Sequence, residues 1–241
     1  MDFFVPNRTA LCYNIKQKGV GCSGALSAHI LYKGGLRMGI KVITVSRQFG
    51  SGGRSVAKLV AEKLGWDYYD KELVRKIAAE SGLAESYILD SGEYACSTNS
   101  FLFNWAMSAE SGRNPGTLPV SDQLYIVQNN VIRDLAEKGS CVIVGRCSDY
   151  ILRDRTDVLN TFFHADNEFR ADRIVKLYGE TLDKPAKRLK EKDDKRKTYY
   201  RHYTGRIWGV ADNYDLSLDT GRLGVEHCAE IVAKVVEELN K

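Results

Sequence analysis

Hydrophobic and polar residues follow one another along this chain in a pattern that predicts a strand, a glycine-rich turn and a helix. Residues 42–45 are rich in β-branched side chains and predict a buried strand. Apolar residues recur at helical spacing over residues 56–64, and Gly65 stands where a C-terminal cap is expected. Between them, three glycines surround Ser51. Strand, glycine loop and helix in this order are typical of phosphate binding, in which backbone N–H groups face an anion, although a tight connection is the alternative.

The alternation of strands and helices continues to the end of the chain. Apolar runs predict four further strands, over residues 66–70, 141–144, 158–163 and 214–219. Helical spacing returns in three segments, over residues 71–81, 122–138 and 225–239. The strand at 141–144 is apolar at every position, as expected for a central parallel strand covered on both faces. The pattern therefore predicts an α/β domain.

Composition narrows the class of protein. The chain has 241 residues, of which 44% are hydrophobic and 27% charged, and this suits one globular domain. A net charge of +4 is too small by itself to indicate a nucleic-acid-binding protein. The six cysteines form no C-x-x-C pair, which favours reduced thiols in a cytoplasmic protein over a zinc site. No apolar run reaches the roughly 18 residues that cross a bilayer, so we expect no membrane association.

Two segments stand apart from the pattern. Residues 1–37 have no sustained periodicity, and Met38 precedes the first strand as an initiator would. We interpret them as a leader that is disordered or not natively translated, with a partner-binding tail as the alternative. The domain then spans residues 38–241. Its irregular insert, residues 93–121, carries aromatic side chains that could contact a base, another part of the domain or a second subunit.

The glycine loop departs from the usual pattern G-x-x-x-x-G-K-[ST] and fits it in two registers. One register places Gly53, Arg54 and Ser55 over G-K-S. The other register places Gly53 at the lysine position. We prefer this second register because the match continues without a gap through residues 54–58, into the predicted helix. In that register Arg54 is expected to take over part of the missing lysine's role. Gly53→Lys is then expected to raise activity.

Charged residues follow several predicted strands, at the edge where open α/β sheets bind ligands. Arg146 follows the strand at 141–144 and should project toward the glycine loop. Arg170 and Arg173 lie on one helix face at i, i+3 spacing. Asp70 directly precedes the predicted helix at 71–81, where its side chain could cap that helix or contact a ligand.

The most basic stretch of the chain lies near its end. Residues 184–206 contain ten lysines and arginines but three acids. We expect residues 180–206 to form a lid that closes over phosphates. A solvated helix face and a nucleic-acid patch are the alternatives.

Several motifs, taken in this order, resemble the cytidylate kinase-like family of P-loop nucleoside monophosphate kinases. They are SRQFGSGGRSVAKLVAEKLG, YYDKEL, CVIVGR, and DDKRKTYY ahead of NYDLSLDT. The resemblance covers about residues 40–240. It implies a three-layer P-loop NTPase fold, in which a five-stranded parallel sheet carries helices on both faces, a monophosphate-binding region and a basic lid. It also implies ATP and Mg²⁺ as cofactors.

By position, the resemblance implies a role for each motif residue. ATP binding falls to the loop residues Gly50, Ser51, Gly52, Gly53, Arg54 and Ser55, with Ser55 near Mg²⁺, directly or through water. Acceptor binding falls to Asp70 and Arg146. The catalytic charge would come from Arg54, Arg146, Arg170 and Arg173, and the lid motif D-x-x-R would be Asp194, Lys195, Arg196 and Lys197. The chain departs from the family at Gly53, at Cys147 in place of aspartate, and at Lys197 in place of arginine.

The function that the resemblance implies is transfer of the ATP γ-phosphate to a nucleoside monophosphate, with CMP or dCMP as the first candidates. The missing loop lysine favours a second hypothesis, a nucleotide-binding P-loop protein without kinase activity. A nucleic-acid-binding module has only the basic stretch to support it, so nucleotides are the expected partners. The pattern does not specify an oligomeric state.

Overall fold

A computed structural model describes residues 39–86, 88, 119–178 and 185–241. The leader at 1–37 lies outside these residues, as do most of the insert at 93–121 and the first part of the expected lid. The expectations for those segments therefore stay predictions.

Five strands form one sheet. In chain order, β1 to β5 are Val42–Arg47, Asp67–Tyr69, Cys141–Val144, Val158–His164 and Leu216–Asp219. They lie in the order β2-β3-β1-β4-β5, and every neighbouring pair is parallel. The five-stranded parallel sheet that the resemblance implied is confirmed. Because all strands run the same way, their carboxyl ends share one edge, where the ends of β1 and β3 are adjacent.

Helices connect the strands and follow the last one. In chain order, α1 to α8 are Gly53–Leu64, Lys71–Ser81, Val120–Lys138, Ser148–Ile151, Asn167–Tyr178, Pro185–Thr204, Thr220–Leu223 and Val225–Leu239. A 3₁₀ turn, Ala211–Asn213, lies between α6 and β5. The expected cap at Gly65 is confirmed by its left-handed φ of 66° and its N–H bond to Ala61. None of the helices within the described residues is long and apolar enough to cross a lipid bilayer.

Apolar side chains fill both faces of the sheet. Ile43 points to one face, where the core is closed by α1 and α8. Val42, its neighbour along β1, points to the other face and packs with residues of α2 and α3. Because successive strand residues alternate between faces, neighbouring apolar residues of β1 contribute to the core on both sides of the sheet. The three-layer arrangement is therefore confirmed.

We expect the centre of β1 to dominate stability. Ile43 is 1% exposed, so Ile43→Ala should leave a cavity and lower the free energy of unfolding by about 2–5 kcal/mol. Ile126→Ala is the matched control, because this side chain is 48% exposed and its loss should change stability by less than about 0.5 kcal/mol. Denaturant titration of the two variants measures the difference. Equal losses would show that the core is not centred on this strand.

Candidate active site

The glycine loop lies between β1 and α1 and has a backbone that only glycine adopts easily. Gly50 and Gly52 have φ angles of 79° and 87°. A Cβ at Gly50 would come within 2.8 Å of the carbonyl oxygen of Arg170. The loop thus passes α5 at a distance that excludes a side chain.

The N-terminus of α1 offers backbone N–H groups that no residue of its first turn neutralises. The first intrahelical bond runs from the N–H of Val56 to the carbonyl of Gly52 at 3.0 Å, so the N–H groups of Arg54 and Ser55 precede the helical ladder. The first turn contains no acidic residue. Amides and a helix dipole that face one point favour an anion there, as expected for phosphate binding.

Gly53 has no room for the lysine that the usual loop carries. A Cβ built at Gly53 would lie 2.6 Å from Cβ of Arg47 and 3.1 Å from Cβ of Phe163. Both neighbours are the rigid first atoms of side chains on β1 and β4, so neither can move aside without the strand. The expectation that Gly53→Lys raises activity is therefore reversed by the packing at this position.

Arg54 and Asp70 form an ion pair beside the first turn of α1. The Asp70 side chain does not cap α2, and the hydroxyl of Tyr68 donates to the same carboxylate at 3.4 Å. Burial, and then the charge of Asp70, raise the pKa of Tyr68 to about 12, which keeps the phenol a donor. The cap that could have explained Asp70 is absent, and its carboxylate instead orients Arg54.

Arg173 lies directly on the loop. Its guanidinium donates to Oγ of Ser55 at 2.9 Å, and a Cβ at Gly52 would lie 3.2 Å from its Cζ. The expected contact between this arginine and the phosphate loop therefore has a geometric basis. A guanidinium here adds positive charge to the site that the helix N-terminus creates.

Arg170, by contrast, lies behind the loop and holds it. Its Nε donates to the carbonyl of Phe49 at 2.8 Å, and another nitrogen donates to the carboxylate of Asp193 on α6. Its remaining terminal nitrogen lies 3.4 Å from Oδ1 of Asn167, and the side chain is 3% exposed. With all three nitrogens engaged, Arg170 anchors the loop to α6 in this conformation rather than reaching into the anion site.

The D-x-x-R pair that faces the site is Asp193 and Arg196. This register begins one residue earlier than the expected motif at 194–197. Both are 6% exposed, whereas Lys195 and Lys197 are exposed and Asp194 pairs with Lys197 at the surface. The spacing D-x-x-R occurs at 193–196 as well as in the looser form at 194–197. The buried face of α6 carries Leu189, Asp193, Arg196 and Tyr200, and this period could have selected the correct register.

Three arginines line a cleft where the carboxyl ends of β1 and β3 meet. They are Arg47, Arg146 and Arg196, each at least nine-tenths buried. Arg196 donates to the carbonyl of Arg47 at 2.9 Å, which fixes α6 against the end of β1. Arg47 was not among the expected site residues. Its position as the last residue of β1 was the available signal, since this edge of the sheet binds ligands.

Asp149 is a second residue that the sequence did not single out. It is 3% exposed, and Oδ2 accepts from the hydroxyl of Tyr200 at 2.6 Å. Burial raises the pKa of the Asp149 carboxyl. The family motif has its aspartate at the position of Cys147, and Asp149 stands two positions later. The turn after β3 thus does contain a carboxyl group, which is bonded to α6.

The residues near the loop fit a magnesium ion that is carried by nucleotide phosphates rather than one that the protein holds. Within the described ranges, no three His, Cys, Asp or Glu side chains are grouped to bind a metal. Ser55 offers one hydroxyl oxygen, and Arg173 already donates to it. Magnesium commonly keeps its waters and takes few protein ligands when phosphates are present. Contact through water is the arrangement these residues allow without movement of Arg173.

Comparison with known proteins places these elements in a family. The sequence model of the cytidylate kinase-like family matches residues 42–222. The chain is 31% identical over 201 residues to a cytidylate kinase of Archaeoglobus fulgidus, covering 81% of this chain and 94% of that protein. It is 25% identical to a cytidylate kinase of Methanopyrus kandleri, covering 82% and 94%. The solved structure of an uncharacterized protein from Eubacterium ventriosum has a TM-score of 0.61 at 26% identity, covering 81% and 98%. The matched region includes the loop, the cleft and α6.

A substitution at Gly52 tests whether the glycine loop binds the phosphates of ATP. Gly52→Ala would strain a left-handed residue and place its Cβ 2.9 Å from Val225 and 3.2 Å from Arg173. Gly65→Ala is the matched control, because Gly65 caps the other end of α1 with a φ of 66° and has nothing within 4 Å of its Cβ. We expect both variants to lose about 1–2 kcal/mol of stability from strain. Only Gly52→Ala should also weaken ATP binding in calorimetry, and equal ATP affinities would contradict the assignment of the loop.

Proposed function

The chain belongs to the cytidylate kinase-like family, and we propose that it transfers the γ-phosphoryl group of ATP to a nucleoside monophosphate, with CMP or dCMP as the acceptor. The observation that supports this proposal is the presence of two groups of anion-binding elements at one edge of the sheet. One is the N-terminus of α1 with Arg173, and the other is the cleft of Arg47, Arg146 and Arg196. A kinase that transfers a phosphoryl group from one phosphorylated substrate to another needs a binding site for each of them.

The first site suits the donor. Its amides at the start of α1 would bind the β- and γ-phosphates, with Arg173 on one side and Arg54 on the other. Magnesium bound to the ATP phosphates would neutralise part of their charge. The charge that a loop lysine provides in other P-loop proteins would come here from arginines on α1 and α5, since Gly53 is enclosed.

The second site suits the acceptor's phosphate. Guanidinium groups bind phosphate with paired donors, and the cleft brings three of them together at the edge of the sheet. Phosphoryl transfer needs little more than alignment of the two nucleotides and positive charge around the group in transfer. A monophosphate that is already ionised requires no general base, so the described residues around the cleft suffice for the reaction type.

We infer that α6 moves to admit the acceptor. The cleft has a free volume of about 20 Å³, which is room for water but not for a nucleotide. Tyr199 and Tyr200 of α6 form part of its wall. We therefore assign α6 the role of the lid, and this conformation corresponds to a closed one.

A nucleotide-binding protein without kinase activity is the second candidate, because Gly53 leaves the loop without its lysine. The nucleic-acid-binding hypothesis has less support. Several exposed lysines of α6 lie within 4 Å of acids on the same helix, at i, i+3 or i, i+4 spacing: Lys187 with Glu191, and Lys190 and Lys197 with Asp194. Such pairs are typical of a solvated helix face.

A coupled assay with ATP, Mg²⁺ and each common nucleoside monophosphate tests the proposal. We expect CMP or dCMP to give the highest kcat/KM. Arg146→Ala should raise the acceptor KM roughly 10- to 100-fold, as loss of a charge-assisted hydrogen bond does. Arg153→Ala is the control, since this exposed arginine lies just beyond α4 and stacks on Tyr150. ATP binding without turnover of any acceptor would favour the second candidate.

Introducing a lysine at position 53 should not produce a conventional phosphate-binding loop. Because a Cβ at Gly53 would overlap Arg47, we expect Gly53→Lys to lower kcat/KM and the melting temperature together. Gly139→Lys adds the same charge at a position with nothing within 4 Å and should change neither. Thermal melts and the coupled assay measure both effects. Higher activity in Gly53→Lys would show that β1 yields to the side chain.

A further inference from the structure

The turn after β3 has an unusual backbone. Gly145, Arg146 and Cys147 have φ angles of 74°, 62° and 56°, so three successive residues are left-handed and two of them are not glycine. Each non-glycine residue in this region costs roughly 1–2 kcal/mol. Such a conformation persists only where neighbouring groups hold it. The turn carries Arg146, whose guanidinium donates to the carbonyl of Ile88 at 3.2 Å, so whatever holds the turn sets where that side chain begins.

One side chain of α3 holds this turn. Nε2 of Gln128 donates to the carbonyl of Arg146 at 2.9 Å. The same amide contacts the hydroxyl of Tyr199, with Nε2 at 3.1 Å and Oε1 at 3.3 Å. The carbonyl of Arg146 can only accept, and this requirement fixes the orientation of the amide. Gln128 therefore joins the arginine turn to the lid helix α6.

Position 128 is otherwise a core position. The buried residues of α3 recur at helical spacing and include Leu124, Gln128, Val131, Ile132 and Leu135. Gln128 is 1% exposed, like its apolar neighbours on this face. A buried amide costs free energy unless its hydrogen bonds are made, and leucine would satisfy the pattern of the helix. A polar residue here is explained by the two groups that it bonds.

We propose that Gln128 is a positioning residue, which holds the strained Arg146 turn and, through Tyr199, ties the placement of Arg146 to closure of α6. When α6 moves to admit an acceptor, the hydroxyl of Tyr199 leaves the amide. When α6 closes, Tyr199 returns to Gln128, and Tyr200 returns to Asp149 three residues beyond Arg146. The two adjacent tyrosines thus bond the residue that holds the turn and the helix that follows it. This inference rests on the proposed function, since it assumes that Arg146 binds the acceptor.

The test compares three variants with the unaltered chain. Gln128→Met keeps the length of the side chain and loses the donor, whereas Tyr199→Phe loses a single hydroxyl. Asn129→Ala is the control on the same helix, where the side chain accepts only from Arg133 among the described residues. We expect Gln128→Met to raise the acceptor KM roughly tenfold, as loss of a buried hydrogen bond does. The Kd of ATP without acceptor should stay within about twofold, as expected for a distant site.

A double-mutant cycle separates positioning from scaffold effects. If Gln128 acts through Tyr199, the acceptor KM of the double variant should be close to that of Gln128→Met alone, because both changes break one linkage. Additive effects would overturn the linkage to the lid. An acceptor KM in Gln128→Met equal to that of Asn129→Ala would overturn the positioning role. Equal losses for ATP and acceptor, with a lower melting temperature, would overturn it too, since they indicate a scaffold residue.

The two proposals fail in different ways. An unaltered chain that phosphorylates no nucleoside monophosphate removes the proposed function, and this inference with it. An unaltered chain that is active, together with a Gln128→Met variant whose acceptor KM equals that of Asn129→Ala, overturns only the inference. Should Gln128→Met fail to fold, Tyr199→Phe alone decides. An acceptor KM unchanged by loss of that hydroxyl would overturn the linkage, and a rise of roughly threefold or more would support it.

Discussion

The carboxylate of Asp193 is the contact on which the rest of the site depends. It lies on α6, accepts from the N–H of Phe49 at 2.8 Å, pairs with Arg170 and lies 3.8 Å from Arg196. One buried carboxylate thereby joins the glycine loop, α5 and α6. Buried ion pairs add little to stability compared with apolar packing, but removal of one partner leaves the others uncompensated. The network therefore specifies a geometry more than it stabilises the domain.

The parallel sheet determines where this network lies. With the order β2-β3-β1-β4-β5, the loop after β1 and the turn after β3 meet at one edge, and α6 crosses over both. Positive groups from three elements, Arg47, Arg146 and Arg196, converge there. Repulsion between like charges of this kind falls when an anion enters. Closure of α6 and binding of a phosphate should favour one another, because each improves the electrostatic environment that the other requires.

The enclosed Gly53 shows how the chain distributes charge differently from the usual loop. Space at this position is taken by the first atoms of Arg47 and Phe163, so the loop cannot carry a long side chain there. Arg173 reaches the loop from α5, and Arg54 lies beside it in a pair with Asp70. Charge that comes from separate helices depends on their relative placement. A site of this kind should be sensitive to the movement of α6, to which Asp193 connects Arg170 and the loop.

The sequence by itself determined the strands, the glycine loop, the cap at Gly65 and the family. These features are local, because a period of two or 3.6 residues records which side chains are buried, and glycine is the residue that adopts a left-handed conformation at least cost. Only the tertiary structure decided that Asp193 rather than Asp194 faces the loop, that Arg170 anchors rather than clamps, and that Gln128 meets Arg146. The atoms concerned are far apart along the chain, 144 residues for Phe49 and Asp193 and 149 for Arg47 and Arg196. Their contacts follow from the crossing of whole helices over the sheet, which no local period encodes.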